Sequence, residues 1–212
     1  MKLVCISDTH NQINKIKLSY GDVLIIAGDI TNNGTFNEVI KFNSDLELIR
    51  KTIGYKHVIF IEGNHDFYGE KYDYYAMKAL IPSVDYFLRD SGIEINGIKF
   101  YGSPYTPFYY NWAFNAHRGL AIKTKWDLIP NGTDVLITHG PPAGIGDIVP
   151  NGDAVGCKDL LEAILRVKPK VHICGHIHNG YGVRRFHDIT FINASSCDER
   201  YSPVNAPIEF DL

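Results

Sequence analysis

The sequence contains no apolar run long enough to cross a membrane. Its longest uninterrupted apolar stretch is Val23–Ala27, whereas a membrane-spanning helix needs about 20 such residues. The N-terminal residues 1–8 also lack the apolar length and the cleavage site of a signal peptide. We therefore expect a cytoplasmic protein with no membrane partner.

Cysteine is scarce and the charge is nearly balanced. The 212 residues include four cysteines, none of them in a CxxC pair, which indicates reduced thiols rather than disulfides. The sequence contains 21 Lys and Arg residues and 24 Asp and Glu residues, so that the net charge is −3. Because there is no basic excess, stable binding to duplex nucleic acid is not expected.

The apolar pattern predicts an α/β fold in one domain, residues 1–212. Short continuous apolar runs are typical of strands buried on both faces, and they occur at residues 2–6, 23–27, 57–61, 135–137 and 171–174. Residues 36–52 and 157–167 show helical spacing of apolar side chains. Two hairpins are predicted, around Asn96-Gly97 and around His187-Asp188. This order of elements favours two mixed sheets with helices outside.

Each of the five predicted strands ends in side chains that can bind a metal ion. Strand carboxyl ends converge on one rim in open α/β sheets, so these side chains are expected to meet. Their mixed oxygen and nitrogen donors suit divalent Mn, Fe, Co, Ni or Zn, and their number fits two ions about 3.5–4 Å apart. The predicted ligands are Asp8, His10, Asp29, Asn64, His139, His176 and His178.

The sequence blocks differ in how strongly each one indicates a metal site. Gly175-His176-Ile177-His178 places two imidazoles on the same side of an extended segment, which is a chelating geometry. Gly63-Asn64-His65-Asp66 places three polar side chains at the end of a buried strand, where burying them is energetically unfavourable. Asp8-Thr9-His10 and Gly28-Asp29 are also compatible with ordinary turns. The occurrence of all the blocks at strand ends favours a metal site over these structural alternatives.

In chain order these blocks resemble a known family. Asp8-x-His10, Gly28-Asp29, Gly63-Asn64-His65-Asp66, Thr138-His139-Gly140 and Gly175-His176-x-His178 look like the five motif blocks of the calcineurin-like metallophosphoesterases. Residues 102–107, 112–119, 138–142, 178–182, 192–197 and 207–212 are more similar still to the metallophosphoesterase-domain-containing subfamily. Some mammalian members carry glycine in place of the first histidine of the last block, whereas His176 is present here.

The resemblance implies a four-layer α/β/β/α sandwich that hydrolyses phosphoesters with two divalent ions. Mn²⁺ is favoured, with Fe, Co, Ni, Zn or Mg as alternatives. A water or hydroxide between the ions would be the nucleophile. His65 would act on the leaving oxygen as a general acid, and Asp66 would orient it. With Asp29 bridging, the resemblance assigns Asp8, His10 and His178 to one ion and Asn64, His139 and His176 to the other.

The subfamily resemblance implies a small cyclic nucleotide, 2′,3′- or 3′,5′-cyclic, as the substrate. Arg118 is the candidate for a second phosphate or base contact, because a guanidinium fork matches phosphate oxygens. Asn115 lies in the same block and is the second candidate for substrate binding. The alternatives are a phosphomonoesterase or protein phosphatase on the same fold, a nuclease, and a catalytically silent scaffold. The complete ligand set argues against the scaffold.

Overall fold

The computed structural model describes all 212 residues, and two β-sheets form its centre. The strands are β1 (Lys2–Ile6), β2 (Val23–Ala27), β3 (His57–Ile61), β4 (Tyr86–Phe87), β5 (Ser91–Ile95), β6 (Ile98–Ser103), β7 (Thr106–Pro107), β8 (Asn115–Ala116), β9 (Val135–Thr138), β10 (Val171–Cys174), β11 (Gly182–Phe186), β12 (Ile189–Asn193) and β13 (Ile208–Asp211). The helices are α1 (Phe36–Ile53), α2 (Phe67–Tyr72), α3 (Tyr74–Leu80), α4 (Leu120–Trp126) and α5 (Lys158–Val167).

Both sheets are mixed, with parallel strands at their centres. The first has the order β13-β1-β2-β3-β4, and the second has the order β11-β12-β10-β9-β6-β5. Strands β1 to β4 run parallel in the first sheet, as do β6, β9, β10 and β12 in the second. A bridge between Ser7 and Ser195 joins the two sheets just beyond β1 and β12. The carboxyl ends of the two sets of strands therefore meet at one rim.

Alternating side chains give the molecule three apolar layers. In β1, Leu3 and Cys5 face the second sheet, and Val4 and Ile6 face the helices. The residues between the sheets come from strands of both. A second layer lies between the first sheet and helices α1 and α3, and a third lies between the second sheet and helices α4 and α5. The predicted α/β/β/α arrangement is confirmed.

Local signals explain where α1 begins and ends. The Thr35 hydroxyl accepts from the backbone N–H of Glu38, whose carboxylate accepts in return from the Thr35 N–H, which is a capping box. Gly54 ends the helix in the left-handed region at φ 81°, which glycine adopts without strain. None of the helices combines the length and apolar composition that a membrane crossing requires.

The predicted strands, both long helices and both hairpins are present within one or two residues at most ends. Helices α2, α3 and α4 were not predicted, because none exceeds seven residues and so short a segment shows little periodicity. The two-residue strands β4, β7 and β8 and the four-residue edge strand β13 were also not predicted. The missed elements flank the central strands without altering their order.

His172 is a buried histidine that the fold keeps neutral. Its Nε2 lies 2.7 Å from the Thr138 hydroxyl, which donates its single proton to the Gly140 carbonyl. Nε2 must therefore carry a proton and donate, which leaves Nδ1 unprotonated, buried and without a partner. Burial lowers the pKa of His172 to about 3.

We expect His172→Gln to make the protein less sensitive to acid. An unfolded histidine binds a proton near pH 6.5, whereas folded His172 does so only near pH 3. The unfolded state therefore binds more protons between these values, and the free energy of unfolding falls as the pH drops below 6.5. By pH 5 this contribution amounts to about 2 kcal/mol.

Urea denaturation at pH 7 and pH 5 measures the effect as a difference between two pH values. The loss of stability between them should be about 2 kcal/mol smaller in His172→Gln than in the wild type. His187→Gln, which alters an exposed hairpin histidine, is the control and should behave as the wild type does. An unchanged pH dependence in His172→Gln would contradict the account.

Candidate metal centre

The structure brings all seven predicted ligands together at the common rim of the two sheets. The side chains form three groups of three, and within each group the donor atoms lie within 4.8 Å of one another. Some residues belong to two groups. Asn64 joins them through its side-chain oxygen, 2.8 Å from His139 Nε2. The groups are Asp8, His10 and His178; His10, Asp29 and His65; and Asp29, His139 and His176.

Backbone carbonyls fix the orientation of four imidazoles. His10 Nδ1 lies 3.2 Å from the Thr31 oxygen, and His139 Nδ1 lies 2.8 Å from the Ala27 oxygen. His65 and His178 make the same contact with other carbonyls, each at 2.8 Å. A carbonyl only accepts, so each Nδ1 carries the proton and each Nε2 is available toward the cluster. This is the arrangement that metal-binding histidines adopt in proteins.

Side-chain oxygen and nitrogen atoms of the cluster are placed to bind a cation. The Asn64 oxygen and one Asp29 oxygen lie 2.8 and 3.2 Å from His139 Nε2. Two atoms each about 2.1 Å from an ion and at right angles to each other are ~3.0 Å apart, so these are spacings of neighbouring ligands. His10 Nε2 is buried and has no hydrogen-bond partner. The residues present therefore fit divalent ions bound by oxygen and nitrogen.

The two buried carboxylates dominate the electrostatics. Burial raises the pKa of Asp8 and of Asp29, but the neighbouring histidines lower it by more. The pKa of Asp8 therefore falls well below its usual range, and that of Asp29 falls to about 2. Burial lowers the pKa of His139, and the carboxylates overcome this and raise it to about 9. The pKa of His178 is raised to about 9 in the same way. Burial dominates at His176, whose pKa falls to about 4. The carboxylates thus attract positive charge into the cluster.

Several ligands sit in strained backbone. Asp8, His10, Asp29 and His176 have φ between 41° and 68°, the left-handed region that costs a non-glycine residue roughly 1–2 kcal/mol. Such strain persists only where the surrounding structure enforces it, and it concentrates at functional sites. Here it turns side chains sharply at strand ends toward the common rim.

Close packing explains the glycines that precede the ligands. A Cβ at Gly63 would collide with the Asp29 carboxylate, and one at Gly175 would collide with Ser7 and Asp8. No side chain fits at either position without moving a ligand. The glycines in these motif blocks therefore allow the strand ends of the two sheets to approach each other.

Buried polar groups at the end of β12 support the ligands from behind. The Ser195 hydroxyl donates to the Asp8 carboxylate at 2.8 Å. The Asn193 amide donates to the carbonyl of Ile177, between the two histidines of the last block, at 2.8 Å. These contacts hold in place both the carboxylate and the turn that carries His176.

Asp66 does not contact the His65 imidazole, contrary to the sequence expectation. Its carboxylate accepts from the backbone N–H groups of Gly63 and Asp29 at 2.8 and 2.9 Å, and from Thr31. Burial and the Asp29 carboxylate raise the pKa of Asp66 to about 7, while the donated hydrogen bonds oppose that rise. The Asn32 carbonyl orients His65 instead. Asp66 joins the loops that carry Asp29 and Asn64.

Arg118 and Asn115 also lie outside the cluster. The Arg118 guanidinium donates to the carbonyls of Val155 and Gly156, beside a cavity of about 810 Å³ that none of the metal-binding side chains lines. The Asn115 amide donates to the carbonyls of Tyr109 and Tyr110, each at 3.1 Å. Both side chains thus bind backbone of loops rather than the rim.

A cleft of about 170 Å³ opens over the ligands. Its lining includes four residues of the cluster and its neighbour His65, and none of its nine residues is Lys or Arg. Tyr109, Glu199 and Tyr201 also line it and were not predicted, because they lie in loops without a recognisable motif. Trp112 completes the lining, and its ring lies 4.1 Å from that of His65.

Comparison with known proteins agrees with this geometry. Residues 1–180 match the calcineurin-like phosphoesterase family. The chain is 43% identical to human metallophosphoesterase domain-containing protein 1, an alignment that covers all of this chain and 71% of the relative. It is 38% identical to a UPF0046 protein of Caenorhabditis elegans, covering all of this chain and 81% of that protein.

Solved structures share the fold at low sequence identity. A protein of Thermus thermophilus superposes with a TM-score of 0.62 at 11% identity, covering 91% of this chain and 88% of that one. The Plasmodium protein described as the anchor in the inner membrane complex gives a TM-score of 0.52 at 13% identity, covering 92% and 71%. The family match and these relatives span the strand ends that form the candidate metal centre. The chain therefore belongs to the calcineurin-like phosphoesterase family and is a metal-dependent phosphoesterase.

Proposed function

We propose that the protein is a phosphodiesterase that uses two divalent ions to hydrolyse a small cyclic nucleotide. The observation that carries the proposal is the position of Asp29, whose carboxylate is common to two groups of donors. Divalent ions held there would polarise phosphoryl oxygens and lower the pKa of water toward neutrality. With Asp29 between them, the proposed ligands are Asp8, His10 and His178 for one ion and Asn64, His139 and His176 for the other.

The donor set supports Mn²⁺ as the proposed metal, since carboxylate, amide and imidazole ligands together suit borderline divalent ions. The absence of cysteine from the cluster argues against a thiolate site. We also propose a cytoplasmic location, because all four cysteines are free and buried thiols.

His65 is the proposed general acid. Its Nδ1 donates to the Asn32 carbonyl, so that Nε2 is the nitrogen available to the cleft that the residue lines. A proton held at Nε2 would reach the leaving oxygen of a phosphoester in the cleft. His65 also lies within ligand distance of His10 and Asp29, and an experiment must therefore separate the two roles.

The charge of the cleft supports a phosphodiester over a phosphomonoester. A diester carries one negative charge, whereas a monoester carries nearly two at neutral pH. No Lys or Arg of the cleft adds to the positive charge that the proposed metal ions would supply, and the Glu199 carboxylate subtracts from it. The net charge of −3 likewise gives no long-range attraction to a polyanion such as duplex DNA.

The size of the cleft and its aromatic rim support a nucleotide. A volume of about 170 Å³ is below the roughly 300 Å³ at which pockets enclose whole drug-sized ligands. The phosphate would enter while the base stays at the mouth, beside the aromatic side chains of Trp112 and the exposed Tyr109. A phosphomonoesterase or protein phosphatase remains the alternative, and substrate comparison decides between them.

We predict that His65→Gln retains metal and lowers kcat by roughly 10²–10⁴, the range for loss of a general acid. Elemental analysis of the purified variant and steady-state kinetics with a cyclic nucleotide measure the two properties. His139→Gln is the matched comparison, because it should lower the metal content as well as the rate. A His65→Gln protein stripped of metal would instead assign His65 to the ligands.

A further prediction concerns substrate choice. With Mn²⁺ present, kcat/KM for 2′,3′-cAMP or 3′,5′-cAMP should exceed that for p-nitrophenyl phosphate, a phosphopeptide and duplex DNA, for the reasons of charge and size given above. Product analysis by chromatography identifies the bond that is cleaved. A tenfold preference for the phosphopeptide, about 1.4 kcal/mol of transition-state stabilisation, would contradict the nucleotide proposal and favour a protein phosphatase.

A further inference from the structure

The turn at residues 198–202 brings an acidic side chain into the cleft. The carboxylate of Asp198 builds the turn by accepting from backbone N–H groups two and four residues on, each at 2.9 Å. The Asp198 carbonyl accepts from His178 Nδ1 at 2.8 Å, so the turn is anchored to the metal centre. Glu199 and Tyr201 project from this turn and both line the cleft.

The Glu199 carboxylate is held in place but is not neutralised. It accepts a hydrogen bond from the backbone N–H of Asn179, next to His178, at 3.2 Å. It forms no ion pair, although Arg200 is its neighbour in sequence. An exposed glutamate without a partner usually lies free in solvent, whereas this one is hydrogen-bonded at the cleft over the candidate metal centre.

We infer that Glu199 is a specificity-determining residue that rejects dianionic phosphomonoesters in favour of monoanionic phosphodiesters. The inference rests on the proposed phosphodiesterase function. No arginine or lysine lines the cleft to offset the glutamate. Its carboxylate therefore adds a repulsion that opposes the attraction of metal ions at the proposed centre for a phosphate.

The repulsion depends on the charge of the substrate. Coulomb energy is proportional to the product of the charges, so a dianion at the same position is disfavoured twice as strongly as a monoanion. Removing the Glu199 charge should therefore raise the logarithm of kcat/KM twice as much for a monoester as for a diester. The substrate difference thus separates a charge effect from a general change in the site.

Glu199→Gln tests the inference with little structural change, because the amide oxygen still accepts from the Asn179 N–H. We expect kcat/KM for p-nitrophenyl phosphate to rise about tenfold and that for bis(p-nitrophenyl) phosphate to rise about threefold. Inhibition by inorganic phosphate at pH 8, where it is a dianion, should tighten about tenfold. Raising the NaCl concentration from 0.05 to 0.5 M should shrink all three differences.

Two further variants serve as controls. Glu94→Gln removes the same charge from an exposed position on β5 outside the cleft, and it should leave both substrates and phosphate inhibition unchanged. Glu199→Ala loses the hydrogen bond as well as the charge, and it should raise the monoester-to-diester ratio as Glu199→Gln does. Elemental analysis should find the wild-type metal content in every variant.

The outcomes distinguish failure of this inference from failure of the proposed function. An unchanged monoester-to-diester ratio in both Glu199 variants would overturn the role of Glu199, as would a fall in diester hydrolysis alone, which would indicate a hydrogen bond to the substrate. A wild-type enzyme that prefers the monoester would instead contradict the phosphodiesterase proposal, and it would do so without any variant.

Discussion

The buried carboxylates of Asp8 and Asp29 impose the constraint on which the rest of the structure depends. The two residues are 0% and 2% exposed, and burying an uncompensated carboxylate costs several kcal/mol. Imidazoles from both sheets converge on them, and the pKa of His139 and of His178 rises as a result. Divalent ions bound in the proposed centre would meet the same need with more charge, and the imidazoles would then be neutral ligands.

The fold itself holds the candidate ligands in place. Nδ1 hydrogen bonds hold the rings of His10, His65, His139 and His178, and left-handed backbone turns the strand-end residues toward the rim. Ser195 holds the Asp8 carboxylate from the second sheet. Because the donors are already held together, little ordering entropy opposes metal binding. Strained backbone and buried carboxylates lower the stability of the fold, but they also hold the donor atoms together for metal binding.

The central sheets and the clustering of the candidate ligands could be predicted because both follow simple rules of chain geometry. Continuous apolar runs mark strands buried on both faces, and polar residues at their carboxyl ends meet at one rim. The rest of the cleft could not be predicted this way. Trp112 and Glu199 lie in irregular loops whose paths depend on contacts distant in sequence, such as the Glu199 bond to Asn179. The contacts of Asp66 could not be predicted from its position next to His65 either. Adjacent residues in a turn point in different directions, and Asp66 accepts hydrogen bonds from the backbone of Asp29 and Gly63 instead.

Metal stoichiometry tests the central claim most directly. Protein stripped with a chelator, incubated with Mn²⁺ and freed of excess ion should hold two ions per folded chain by elemental analysis. Asp29→Asn should hold fewer, because its carboxylate is common to both groups of donors, while circular dichroism still reports a folded chain. Background metal in the folded wild type, or an undiminished content in Asp29→Asn, would contradict a dinuclear centre built around Asp29.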